Sequence, residues 1–439
     1  MNPSVKPHDS ARGGTAEASL FKRLGPGLVT GASDDDPSGI ATYSQAGAAH
    51  GFTLLWTMVF SFPLMSAIQE ISARIGRVTG HGIAGNIRRH YSKGLLYPIV
   101  FLLVLANTLN LGADIGAMGA ALQLLIGGSA LLYAVGFATV CLLLEIFVSY
   151  KTYARYLKWL TLVLFSYVAT AFCIQVPWRE VALGALVPTF SRNGEYWAIF
   201  IGILGTTISP YLFFWQASQE TEEIRDHPAE EPLAKEPWQA RVQFGRIRLD
   251  TLVGMFFSNA VAFFIILAAG ATLHQNGVTD VQTANQAAEA LRPFAGPFAF
   301  TLFALGIIGT GLLAVPVLAG SAAYAIGEAL RWPTGLDRKP LDAKGFYGVL
   351  AAATGLGLAL NFPVVQKHLH VTPIKALVVC AVLNGLVAVP IMVVVMRMVG
   401  NAKVMGKFTL SSGWLRILGW VATLVMFLAS VGMVVTWKA

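Results

Sequence analysis

Asp34, Asp35 and Asp36 stand in a row, followed by Pro37-Ser38-Gly39, inside an otherwise apolar stretch from Leu24 to Ala49. A single Asp at the centre of a bilayer costs roughly 2.5–3.5 kcal/mol on insertion scales. Three in a row therefore oppose insertion by about 8–10 kcal/mol, unless they face a protein-lined, watered cavity. Pro37 removes a helix donor and Gly39 loosens the backbone, so the helix is predicted to break there. A broken membrane helix that carries carboxylates is the outline of a cation site.

The membrane setting follows from composition. Of 439 residues, 55% are hydrophobic and 12% charged, against about 25% charged in soluble domains, and the mean hydropathy is +0.62. The net charge of +8 then reads as topology and not as nucleic-acid affinity. Cys141, Cys173 and Cys380 lie far apart in apolar runs, which points to neither a disulfide framework nor a zinc site. Residues 1–20 are polar without an apolar signal core and are expected to form a disordered cytoplasmic tail.

Windows long enough to cross a bilayer fall near 24–49, 52–73, 95–126, 130–149, 156–176, 197–218, 251–273, 296–327, 345–362, 374–396 and 414–437. The expectation is an all-α polytopic membrane protein with eleven transmembrane helices. Spans three and eight are long enough to need tilt or an extramembrane turn. With the amino terminus inside, 25 of the 31 Lys and Arg residues fall on the inner side and 6 on the outer. That bias fixes the amino terminus in the cytoplasm and the carboxyl terminus outside. Its setting is an integral membrane, expected to be a bacterial inner membrane. The inner loop at 219–250 is rich in Glu, Arg and Pro and reads as a solvated linker.

Span six repeats the theme of span one. It reads Gly202-Ile-Leu-Gly205-Thr206-Thr207-Ile208-Ser209-Pro210-Tyr211, with its polar residues and Pro210 in mid-span. Paired interruptions five spans apart point to an inverted-repeat transporter with a midplane site. The division is then 21–178 for the first five-helix repeat, 179–398 for the second, and 399–439 for one extra helix.

These residues resemble the natural-resistance-associated macrophage protein (Nramp) family of divalent-metal transporters. Gly25-Pro26-Gly27 opens span one, and Asp36-Pro37-Ser38-Gly39 occupies the place of that family's Asp-Pro-Gly-Asn, with Gln45-Ala46-Gly47-Ala48 following. Span two ends in a similar pattern from Gln69 to Gly80, Asp114 falls where the family has an acid, and Ser209-Pro210-Tyr211 stands at its Met-Pro-His. The resemblance implies the inverted-repeat fold with discontinuous first and sixth helices, and uptake of divalent metal, often coupled to protons. The departures are as telling. Gly39 replaces an Asn, Ser209 the metal-coordinating Met and Tyr211 a His. Asn107 and Ala117 stand where Glu residues are common, span nine lacks the family's Arg, and Asn384 is the main polar side chain of span ten.

A thioether favours soft or borderline metals, so Ser for Met leaves carboxylate, hydroxyl and carbonyl oxygens, all hard donors. Asp36 is the first candidate ligand. Carbonyls of Ser33 and Thr206, one turn before each break, are freed by the unwinding and can join it, with Ser209 and Gly39 at the breaks. Asp34 and Asp35 cannot both share the face of Asp36 if the segment stays helical, and one of them can hold the ion through water. Close carboxylates repel, leaving one to hold a proton and Asp114 to serve as a relay, or Asp114 merely to satisfy neighbouring helices. Thr207, Tyr211, Asn384 and Asn107 complete the polar lining. Glu145 and the pair Gln69 and Glu70 suit interfacial pairing, and His368 with His370 a surface site. The function expected is secondary transport of a hard divalent cation such as Mg2+ or Mn2+ by alternating access, with proton coupling open and no cofactor beyond the transported ion. The alternative is an amino-acid or other organic-cation carrier of the same fold. No HExxH or GxSxG motif argues for an enzyme.

Overall fold

The computed structural model describes residues 26–148, 152, 159–227, 229–369 and 372–436. Every regular element among them is helical. Seven segments are long and apolar enough to cross a membrane: Lys93–Ile126, Ala130–Phe147, Gly194–Asp226, Pro237–Asn276, Arg292–Leu330, Pro373–Val399 and Trp414–Thr436. They belong to spans three, four, six, seven, eight, ten and eleven of the numbering above. The other four windows also contain helix. Span one is interrupted, Pro26–Asp34 then Pro37–His50. Span two, Trp56–Thr79, carries Glu70, Arg74 and Arg77. Span nine, Lys344–Ala359, has 16 residues. Of span five, Phe165–Cys173 and the turn Leu160–Leu164 are described.

The long windows are filled by the continuous helices Lys93–Ile126 and Ala299–Leu330, with no extramembrane turn inside either. Lys93–Ile126 has 34 residues and so runs about 51 Å, against a hydrocarbon core of about 30 Å. Glycine lets the helices approach. A Cβ on Gly31 would overlap the backbone of Gly254 in span seven, and one on Gly205 the backbone of Ala381 and Gly385 in span ten. In a bilayer, where lipid is as apolar as Leu, such backbone approach supplies the packing that holds helices together. Span one is also tied to span seven by a hydrogen bond, since Gly27 N donates to Asp250 Oδ2 at 2.7 Å.

The loop at 219–250 is shorter and more ordered than its composition suggests. Helix Pro210–Asp226 runs well into it and helix Ala240–Thr272 begins before its end. Between them the chain docks on the end of span two. Leu233 N donates to Arg77 O at 3.2 Å and Ala234 N to Val78 O at 3.0 Å. Leu233 is fully buried, and Arg77, also fully buried, pairs with Glu230. Part of the segment's charge is partnered, Arg246 with Glu220 and Arg225 with Asp337 as well as Glu230 with Arg77, while Glu231, Lys235, Arg241 and Arg248 stay exposed. Removing one partner of a buried pair strands the other's charge, at about 3–5 kcal/mol. Glu230 keeps some exposure, so Arg77→Leu with Glu230 intact should cost less, about 2 kcal/mol, visible as a lower thermal midpoint that Arg77→Lys largely restores.

Candidate functional site

Pro37 and Pro210 each open the second half of a broken helix. A proline ring excludes the carbonyl four residues earlier from helical bonding, which frees Ser33 and Thr206. Both find hydroxyls. Tyr211 OH donates either to Ser33 O, 3.2 Å away, or to Asp36 Oδ2 at 3.4 Å. Ser209 Oγ turns back on its own span, 2.7 Å from Thr206 O and 2.8 Å from Gly205 O. Thr206 Oγ1 lies 2.9 Å from both Ile203 O and Tyr43 OH, and Thr207 Oγ1 donates to Ile203 O at 3.1 Å. Ser209 thus needs a change of rotamer before its hydroxyl can face a cation.

Asp36 is where the two breaks meet. It caps the carboxyl half of span one with extended backbone, φ −67° and ψ 170°. Its Oδ1 accepts from Gly39 N at 2.7 Å and Ser38 Oγ at 2.6 Å. The helix dipole favours an anion at that end. Gly39 therefore supplies an amide to the carboxylate. On the other oxygen, Asn110 Nδ2 of span three donates at 3.0 Å and also reaches Asp114 Oδ2 at 3.3 Å. Asp114 is fully buried and is brought to the site through this amide.

Asp34 and Asp35 turn away from that junction, towards span seven. Ser258 Oγ of span seven lies 2.6 Å from Asp34 Oδ2 and 3.1 Å from Asp35 Oδ1. One hydroxyl proton serves two carboxylates, and Asp34 Oδ1 has no hydrogen-bond partner among the described residues. None of the ion pairs among the described residues includes Asp34, Asp35, Asp36 or Asp114. Nor do three His, Cys, Asp or Glu side chains converge on one point among the described residues. The polar atoms gathered around the two breaks are carboxylate, hydroxyl, amide and carbonyl groups, and their oxygens are hard donors.

Two expected lining residues stand apart. Asn107 donates to Leu318 O at 2.9 Å and lies 2.5 Å from Ser321 Oγ, fastening span three to span eight. Asn384 is buried in span ten with neither amide atom partnered among the described residues, one turn beyond the buried Cys380. Glu145 is buried with both oxygens unpartnered among the described residues, and Lys151, its expected neighbour, lies outside them. Side chains of His368 and His370 also lie outside the described set. Glu70 pairs with Arg74 at 2.5 Å, whereas Gln69 bonds Leu212 O at 3.0 Å, behind the break in span six.

Asn110 and Ser258 went unnoticed in the sequence. Asn110 had a signal, one helical turn before Asp114 on the same face. Ser258 had none, because it lies in an unremarkable apolar span, more than 200 residues from its partners Asp34 and Asp35. As an outer-shell residue, Asn110 replaced by Leu should weaken divalent-cation binding about 10- to 100-fold, measured by titrating metal-induced thermal stabilisation.

Residues 27–436 match the model of a family described as natural resistance-associated macrophage protein-like. Two proteins named divalent metal cation transporter MntH, from Klebsiella pneumoniae strains 342 and ATCC 700721 / MGH 78578, are each 28% identical over 415 residues, covering 92% of this chain and 91% of theirs. Among solved structures, a manganese transporter of Eremococcus coleocola superposes with TM-score 0.73 at 19% identity, over 94% of this chain and 87% of that one. MhsT in complex with L-phenylalanine gives 0.64 at 13%, over 94% and 99%. The last two are likenesses of fold.

Proposed function

The chain belongs to the natural resistance-associated macrophage protein-like family, and from that premise we propose that it is a secondary transporter of divalent metal cations anchored by Asp36. It is a transporter and not an enzyme. The observation that carries the reading is the position of Asp36. This one carboxylate is bonded at once to its own helix start, to span three through Asn110, and to span six through Tyr211. Alternating access requires a ligand at the junction of elements that move relative to one another, and Asp36 holds that junction. The working architecture is eleven spans with an inverted five-plus-five repeat, amino terminus cytoplasmic.

The donors are oxygens: Asp36, the Ser33 and Thr206 carbonyls once their hydroxyl partners move, Ser209, and water held by Asp34 and Asp35. Mn2+ and Mg2+ both accept octahedral oxygen shells, and the curated relatives are named for divalent metal. Both ions satisfy both conditions. Uptake into proteoliposomes tests this: Mn2+ should enter saturably, with Mg2+ competing within about tenfold because no thioether sets the two apart. Exclusion of Mg2+ at a thousandfold excess would reject the all-oxygen site and turn attention to Cys380. An amino-acid cargo is disfavoured, because its carboxylate would meet four buried acids, and phenylalanine or arginine should leave metal uptake unchanged.

Proton movement is assigned to Asp114, joined to the ligand carboxylate by the Asn110 amide. A cation arriving at Asp36 raises local positive charge and favours proton release from Asp114. Metal-driven acidification of the vesicle lumen, read by an internal pH dye, should vanish in Asp114→Asn while metal uptake persists. Equal acidification in that variant would remove Asp114 from the pathway.

A further inference from the structure

A cavity of about 730 Å³ opens where the ends of spans two, six and eight meet the short helix Ile83–His90, and none of the cation-site residues lines it. Its lining is cationic. Arg88 and Arg89 come from one wall, Arg225 from a second and Arg331 from a third. The single lining carboxylate, Glu328, already accepts from Gly82 N at 3.0 Å and Gly85 N at 2.8 Å. Arg225 is matched by Asp337 at 2.9 Å and Glu222 at 3.5 Å. Arg88, Arg89 and Arg331 enter no ion pair among the described residues. Arg88 Nε is shielded from solvent and has no hydrogen-bond partner among the described residues.

Three guanidinium groups around a common space repel one another unless an anion lies among them. Their planar forks match the oxygens of phosphate. His81 contributes shape and hydrogen bonding without charge: burial, with Arg89, Arg88 and His90 around it, holds its imidazole down at about 4. Beside the charged wall the chain exposes Leu330 and Trp332, 45% and 41% accessible. An apolar rim next to a basic floor suits the edge of a bilayer. In the orientation set by the basic residues, this is the cytoplasmic leaflet, where basic pockets between helices take anionic headgroups.

We propose that this cavity is a binding site for a phosphate-bearing anion, held by Arg88, Arg89 and Arg331. The phosphate comes either from an anionic lipid, with its chains over Leu330 and Trp332, or from a free diphosphate. Because its walls belong to the second half of the broken span six and to span eight, an occupant ties these elements together at the inner mouth. The site stands on residues remote from Asp36, so it holds whatever the cargo.

The full-length protein in neutral detergent tests the proposal in two arms. Native mass spectrometry compares retention of phosphatidic acid with phosphatidylcholine, and calorimetry measures inorganic pyrophosphate. Preference for phosphatidic acid of at least tenfold identifies a lipid headgroup. Pyrophosphate binding that weakens with salt identifies a soluble anion. In either arm, Arg88→Gln/Arg331→Gln should lose at least tenfold in affinity, while Lys403→Gln, an exposed lysine outside the cavity, should lose nothing. The exposed Arg89→Gln disturbs no packed group and gives an independent reading if the double variant folds poorly; it should lose severalfold. Binding of neither probe, or binding unchanged in the arginine variants, overturns the site.

Discussion

Asp36→Asn should abolish transport, with metal uptake falling at least 100-fold and metal-induced thermal stabilisation disappearing, while the protein itself stays folded. The asymmetry follows from the environment of the side chain. Asn keeps an oxygen that can accept from Gly39 N and Ser38 Oγ, so the cap on the carboxyl half of span one largely survives. What is lost is the negative charge facing Asn110 and Tyr211. Losing one partner of a buried charged contact costs about 3 kcal/mol, equivalent to roughly 100-fold in affinity. Asp34→Asn should do less to binding, since its partner is Ser258 on the opposite side of the break. Equal losses from both substitutions would mean that the cation sits between the acids, and the assignment to Asp36 would fail.

Gly205→Leu should severely destabilise the fold. The site of a Cβ on Gly205 is occupied by the backbone of Ala381 and Gly385 in span ten. Backbone on a packed helix cannot rotate aside as a side chain can. Overpacking of this kind costs about 3 kcal/mol or more, and it would also part span six from span ten. Fluorescence-detected size exclusion should show aggregate or a lower thermal midpoint of the monodisperse fraction. Gly348→Leu, where a Cβ meets nothing within 4 Å, controls for added bulk and should behave like the parent. A well-behaved Gly205→Leu variant would show that spans six and ten do not rely on that close approach.

The sequence determined the class of this protein and the location of its chemistry. Charge density and apolar windows specify membrane helices because lipid cannot hydrogen-bond a bare backbone. Asp36-Pro37 and Ser209-Pro210 mark both interruptions because proline's missing donor is a local property that no packing restores. The helix breaks and the freed Ser33 and Thr206 carbonyls follow from this local chemistry. Tertiary structure decided which side chains complete the site. Asn110 rather than Asn107 reaches Asp36, one turn apart on the same helix, because span eight takes Asn107. Ser258 meets Asp34 only because Gly31 and Gly254 let spans one and seven touch. Charge patterning misled at 219–250, where Glu230 and Leu233 dock on the end of span two. Opposite charges far apart in the chain are indistinguishable from solvated ones until folding brings them within reach. The Asp34-Asp35-Asp36 run is unavoidable in the sequence, but the three acids divide their roles only through the helices that surround them.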